Sequence, residues 1–178
     1  MAATKKTKNN SADSASTAPR TSASGAASAD AIALLEADHR EVDGYFEQYR
    51  TVVTEGEKKA LANQICLALK VHAQIEEELF YPVAREKTGD GDLIDEAIVE
   101  HSGAKILIAQ IEAMEPGQDL YDAKVKVLGE QVRHHVREEE DELFPEAREA
   151  GVDLEALGAR LAARKAELMA LLAPPPIA

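Results

Sequence analysis

The chain has 178 residues, enough for one domain with a proper core, and a formal net charge of −13. Lys5, Lys6, Lys8 and Arg20 against Asp13 give the first 29 residues +3, which leaves −16 on residues 30–178, and a body that acidic repels phosphate backbones and anionic lipid. Nucleic-acid binding by the folded part and membrane insertion are therefore not expected: no stretch approaches the roughly 18 apolar residues of a span, and no apolar core marks an export signal.

Residues 1–29 are rich in Ala, Ser, Thr, Asn and Lys and hold no large apolar residue after Met1, so they are expected to form a disordered basic leader. Helical periodicity starts after Asp30, an N-cap candidate, and puts Ile32, Leu35, His39, Val42, Phe46 and Tyr49 on one stripe. Thr54-Glu-Gly56-Glu57 breaks this helix. A second is predicted from about Lys58 to Lys87, with Leu61, Ile65, Leu69, His72, Glu76 and Leu79 inward and Pro82 bending its end. After Thr88-Gly-Asp-Gly91 a third helix carries Ile94, Ile98, His101, Lys105, Ile108 and Ile111, and Pro116-Gly117 ends it.

The fourth helix is predicted from a cap at Asp119 to about Glu149, with Val125, Leu128, Val132, His135, Glu139 and Leu143 inward and Gly151 following as the terminating glycine. Residues 151–178 hold a fifth amphipathic pattern, Leu154, Leu157, Leu161, Leu168 and Leu172, stopped by Pro174-Pro-Pro176. It is expected to pack on the bundle, the alternative being a weak dimer through this helix in place of a monomer. No run alternates with period two for long enough to suggest a sheet. The fold class is all-α: an antiparallel up-down-up-down four-helix bundle over residues 30–150, with an additional C-terminal helix.

One stretch occurs twice. His72-Ala-Gln-Ile-Glu76-Glu77-Glu78-Leu-Phe-Tyr-Pro82 aligns without a gap on His135-Val-Arg-Glu-Glu139-Glu140-Asp-Glu-Leu-Phe-Pro145. Each copy is an HxxxE motif, and on a helix positions i and i+4 share a face about one turn apart, so imidazole and carboxylate reach a common point. His39 precedes His72 by 33 residues and His101 precedes His135 by 34. The midpoint of the first pair falls at Glu55-Gly56 and that of the second at Gln118, both at predicted turns, so both pairs meet at one level of the bundle.

Imidazole with carboxylate is a ligand set for iron, manganese or zinc. We expect His39 and His72 on one metal, His101 and His135 on the other, and Glu76 and Glu139 bridging, with open positions for a small molecule. His134 also has HxxxE spacing to Glu138 but is turned about 100° from His135 and is read as surface or supporting. Glu77, Glu78, Glu138, Glu140, Asp141 and Glu142 read as a solvated acidic face, with Glu77 and Glu140, which repeat, as candidates to support the ligands. Tyr45, Tyr49 and Tyr121 read as packing. Cys66, the single cysteine, reads as a small core residue; without a partner for an internal disulfide it fits a cytoplasmic location. Glu36-x-x-His39 has ExxH spacing, but Ile98 stands where a second copy needs its acid.

Over roughly residues 31–150 the pattern of four spaced histidines, two HxxxE motifs and the ELFYP and ELFP endings resembles the hemerythrin-like, or HHE cation-binding, family. The resemblance implies a non-heme di-iron centre with an oxo or hydroxo bridge, held by His39, His72, Glu76, His101, His135 and Glu139, and O2, peroxide or a similar small ligand as the partner. Oxygen-carrying hemerythrins have HxxxH on the third helix and HxxxxD on the fourth, whereas here the positions read His101-x-x-x-Lys105 and HxxxE. This departure is similar to catalytic and repair-type members. Binding, storage or sensing of oxygen or iron without turnover stays open beside peroxide chemistry. Lys105 is a candidate proton donor to a bound ligand, the alternative being that it runs to solvent or pairs with a nearby glutamate.

Overall fold

The computed structural model describes residues 30–89 and 91–172. The leader of residues 1–29, Asp90 and the prolines at 174–176, on which expectations also fell, lie outside the described residues. In chain order the helices are α1 (Ala31–Tyr49), α2 (Glu55–Ile75), α3 (Tyr81–Thr88), α4 (Asp92–Glu112), α5 (Tyr121–Glu138), α6 (Phe144–Glu149) and α7 (Leu154–Leu172). A π-helical turn, Glu76–Phe80, joins α2 to α3, and a second, Glu139–Leu143, joins α5 to α6. α1, α2–α3, α4 and α5–α6 are the four long arms of an antiparallel bundle, and α7 packs against α1, α2 and the first π turn.

The caps explain where the arms begin. Asp30 Oδ1 accepts from Ala33 N at 2.8 Å, as its N-cap role requires. Thr54 caps α2 by accepting from Glu57 N, so Gly56 and Glu57 sit inside the first turn of that helix rather than in the break, which is confined to the residues before it. Asp119 is not a cap. α5 starts at Tyr121 behind Leu120, whose φ of 70° makes it the one non-glycine among the described residues with positive φ. α4 ends at Glu112, before Pro116. Gly151 has φ 74° after α6, the left-handed termination expected of it.

The predicted stripe of α1 is buried throughout, as are Leu61, Ile65, Leu69 and His72 on α2, Glu76 at the start of the π turn that follows, and Val125, Leu128, Val132 and His135 on α5. α4 differs: Ile98 is exposed and Ala97, one turn before His101 on the same face, takes the inward place. Leu157, Leu161 and Leu168 of α7 are buried against the bundle, each contributing about 1.5–3 kcal/mol, so the C-terminal helix is an integral layer of the chain.

Two apolar clusters divide the interior. One gathers Ile32, Leu35, Val71, Ile75, Phe80, Phe144 and the α7 leucines; the other gathers Val42, Phe46, Ile65, Ile111, Tyr121, Val125 and Leu128. Between them lies a layer of six buried polar side chains, His39, His72, Glu76, His101, His135 and Glu139. Gly129 permits the close approach of α1 to α5 in the second cluster, since a Cβ there would stand 3.0 Å from the Phe46 ring.

Candidate metal centre

Each of α1, α2, α4 and α5 contributes one histidine, and each π turn begins with one glutamate. The rings meet in pairs, with His39 Nε2 3.1 Å from His72 Nε2 and His101 Nε2 3.0 Å from His135 Nε2. The carboxylates lie across the pairs. Glu76 Oε2 is 3.1 Å from His72 and 3.5 Å from His101, while Glu139 Oε2 is 3.3 Å from both His39 and His135. Every carboxylate thus touches one ring from each pair.

The other nitrogen of each ring faces a second carboxylate. Nδ1 of His39 lies 2.8 Å from Glu140, of His101 2.9 Å from Glu77, of His135 2.9 Å from Glu100, and of His72 3.6 Å from Asp38. The arrangement has an internal twofold logic: Asp38 and Glu100 each precede the histidine of the odd arm, and Glu77 and Glu140 each follow the glutamate of the even arm. For His39, His101 and His135 the hydrogen-bonded carboxylate behind the ring assigns a proton to Nδ1, whereas His72 Nδ1 is buried without a hydrogen-bond partner.

Such a layer is costly when no cation lies within it. Burial, joined by the neighbouring His135 charge, pushes His101 down to about 4, and burial also lowers His72. Burial and the charge of Glu139 raise Glu76 well above the usual carboxylate range. Burial acts upward on Glu139 too, but His135 outweighs it and holds Glu139 low; burial opposes charge on His135, and Glu139 with Glu100 reverses that and raises it. A proton on His135 balances one carboxylate. Both oxygens of Glu76 and Oε2 of Glu139 still lack a hydrogen-bond partner.

These observations fit a metal. Nitrogen ligands at about 2.1 Å in adjacent, right-angled positions stand about 3.0 Å apart, which is the separation within each pair. His39, His72, Glu76 and Glu139 offer ligand atoms within 4.8 Å of one another, and so do Glu76, His101 and His135. The two groups share Glu76. A cavity of about 490 Å3, lined by all four histidines and by apolar residues such as Val42, Ile108 and Val132, leads to the layer.

Lys105 also lines that cavity, but its Nζ is held 2.6 and 2.7 Å from the two oxygens of Glu77, on the Nδ1 side of His101. His134 is half exposed and reaches Glu138 and Glu100. Glu77 and Glu140, left open between solvated face and support, both sit on ring nitrogens. Cys66 is buried, and Tyr49 and Tyr121 pack in the core.

Tyr81 is a site residue that the periodicity missed. Its hydroxyl donates to Glu139 Oε1 at 2.8 Å and lies 3.3 Å from His101 Nε2, and burial with the two glutamates raises its pKa. The π turn brings it there: Tyr81 N–H bonds to Glu76 O, five residues back, so residues 76 and 81 share a face. The equivalent Phe144, whose N–H bonds to Glu139 O, stacks on His39. In both copies the residue that follows is a proline without an N–H, placed in the first turn of the resumed helix.

Comparison with known proteins identifies the domain and the fold. The hemerythrin HHE cation-binding domain model matches residues 30–147. A hemerythrin HHE cation-binding domain-containing protein from Mycobacterium kansasii superimposes with a TM-score of 0.70 at 23% identity, over 80% of this chain and 89% of that one. A protein of Nostoc sp. named DNA nickase is 33% identical over 111 residues, 62% of this chain, which spans 31% of that relative's length.

Proposed function

The chain belongs to the hemerythrin HHE cation-binding domain family, and on that premise we propose that its polar layer holds two iron ions and acts on O2, peroxide or a similar small ligand. His39 and His72 would hold one ion, His101 and His135 the other, and Glu76 and Glu139 would bridge them. The observation that supports this most directly is that each carboxylate contacts one ring of each pair. When bound, the metals supply redox-active positions for the small ligand. The chain's own residues orient and insulate that chemistry: Asp38, Glu77, Glu100 and Glu140 fix the rings, and the apolar cavity admits a small neutral molecule while limiting water. Tyr81 holds a proton at Glu139 Oε1, the nearest hydroxyl to the layer.

The test is metal analysis of iron-loaded protein with its visible spectrum before and after peroxide. Two irons per chain and a spectrum that changes and recovers as peroxide is consumed are expected. A single zinc ion after iron-replete expression overturns the reading. A spectrum that changes on oxygen exposure without consumption of peroxide favours binding or sensing over turnover.

The Nostoc relative's name supports a second reading, strand scission of DNA, over the matched 111 residues alone. The net −16 on residues 30–178 opposes contact with a polyanion. Nicking of supercoiled plasmid by the iron-loaded protein, lost in His135→Ala, would establish it; an intact plasmid rejects it.

A further inference from the structure

Outside the buried layer, the described residues hold one more group with metal-ligand geometry: Glu100, His134 and Glu138, whose ligand atoms lie within 4.8 Å of one another. His134 Nε2 is 3.2 Å from Glu138 Oε1 and 3.6 Å from Glu100 Oε1. This is an HxxxE pair set one residue ahead of His135 and Glu139, so it occupies the neighbouring face of α5, about 100° around the helix. Glu100 belongs to both groups. Its Oε2 supports His135 Nδ1 at 2.9 Å while its Oε1 faces His134.

The two halves of the chain show what this face lacks. A shift of 63 residues places His134 on Val71 and Glu138 on Ile75, both fully buried in the core cluster that α7 completes. On that half the carboxylate behind the ring, Asp38, contacts the ammonium of Lys165 from α7. On the other half α7 is absent, the apolar pair is replaced by His134 and Glu138, and no lysine or arginine among the described residues pairs with Glu100 or Glu138. Two carboxylates and an imidazole converge where the first half has a cation. A small gap of about 10 Å3, the size of one water, is lined by Glu100 and Glu138 of this group, by His135 and Glu139 of the layer, and by Leu93, Ala97 and Leu143. Glu139, which lines this gap, also belongs to the layer, where its Oε2 is buried without a hydrogen-bond partner 3.3 Å from the rings of His39 and His135.

We propose that Glu100, His134 and Glu138 form a surface site for a divalent transition-metal ion, and that this site passes the ion through the gap to the buried layer. One imidazole with two carboxylates suits Fe(II), Mn(II) or Zn(II), with water in the remaining positions. The site stands apart from the reading of the buried layer, whereas the delivery role rests on it. Glu100 is the shared hinge of the transfer: it touches the ring of His135 on one oxygen and the outer ion on the other.

Zn2+ titration by calorimetry and equilibrium dialysis tests the site, with wild type, His134→Ala and Glu138→Gln compared. Both positions are solvent-accessible, and circular dichroism verifies that the variants fold. We expect each variant to lose one ion per chain, or to bind that ion about ten-fold more weakly, with the remaining ions unchanged. Equal stoichiometry and affinity in all three proteins overturn the site. Anaerobic Fe(II) uptake tests delivery: the variants should fill about ten-fold more slowly and reach the same iron content. An equal rate overturns delivery and leaves the site. If wild type takes no iron into the layer at all, the reading of that layer fails, and the Zn2+ difference still decides the outer site.

Discussion

Lys105 and His101 hold the same carboxylate: Glu77 Oε1 lies 2.6 Å from Lys105 Nζ and 2.9 Å from His101 Nδ1. The ammonium therefore acts on the ring through Glu77, which it neutralises and fixes. Lys105→Met should leave Glu77 free to swing to solvent and loosen His101, weakening metal retention on that half by up to about ten-fold. Competition against a graded chelator reads this directly. A variant that retains metal as wild type does and changes only peroxide consumption would instead favour direct proton delivery by Lys105.

Tyr81→Phe removes the hydroxyl that donates to Glu139 while leaving the ring in place, as Phe144 shows is sterically acceptable in the other copy. Metal-free protein should lose about 1–3 kcal/mol, because a fully buried carboxylate oxygen loses its one hydrogen bond. Urea unfolding of metal-free and metal-loaded protein measures it, and the loss should shrink when metal is bound.

Glu76→Ala and Glu139→Ala should each empty the paired centre, and His135→Ala should empty its half, whereas His134→Ala should keep the buried metals at equilibrium. Metal counting after exhaustive dialysis distinguishes these. Metal removal should lower Tm, since a ligand that binds only the folded state stabilises it by mass action, and equal melting with and without metal would contradict convergent ligands.

Cys66 gives a pH prediction. Burial pushes its thiol from 9.0 up to about 12, so the folded chain keeps a proton that the unfolded chain releases. A raised pKa gives stability that is complete below pH 9 and declines as pH rises toward 12. Cys66→Ala should flatten that decline in chemical denaturation at pH 9 to 11. The native thiol should also resist a maleimide at pH 8 and react at once in denaturant.

Most of the architecture was legible because helical spacing and metal-ligand spacing coincide. His39 falls on the same stripe as Leu35 and Val42, and the HxxxE motifs announce Glu76 and Glu139. What escaped was whatever departs from a straight α-helix. Tyr81 stands five residues from Glu76, which on an α-helix is well off the inward face, and only the π turn brings it round. Ala97 rather than Ile98 faces inward, because periodicity places a stripe to within about one position and both residues are apolar. The carboxylates behind the rings were half visible: Glu77 and Glu140 repeat, but Asp38 and Glu100 contact rings on neighbouring helices, a relation that only packing creates.

The two π turns bear on which changes in chain length the protein can accept. Each holds one residue more than the α-helix that would replace it, at Glu76–Phe80 and at Glu139–Leu143. Substitutions at the solvent-facing Glu78 or Asp141 leave that count intact. Deleting either residue lets the turn relax to α and puts Tyr81 or Phe144 four residues after its glutamate, where an ordinary helical turn keeps it on the same face; an equal deletion inside α2 or α5 meets no extra residue and rotates everything behind it by about 100°. Loss of the codon for Glu78 or Asp141 should therefore be far less damaging than loss of one a turn earlier in the same arm, although the arm shortens equally.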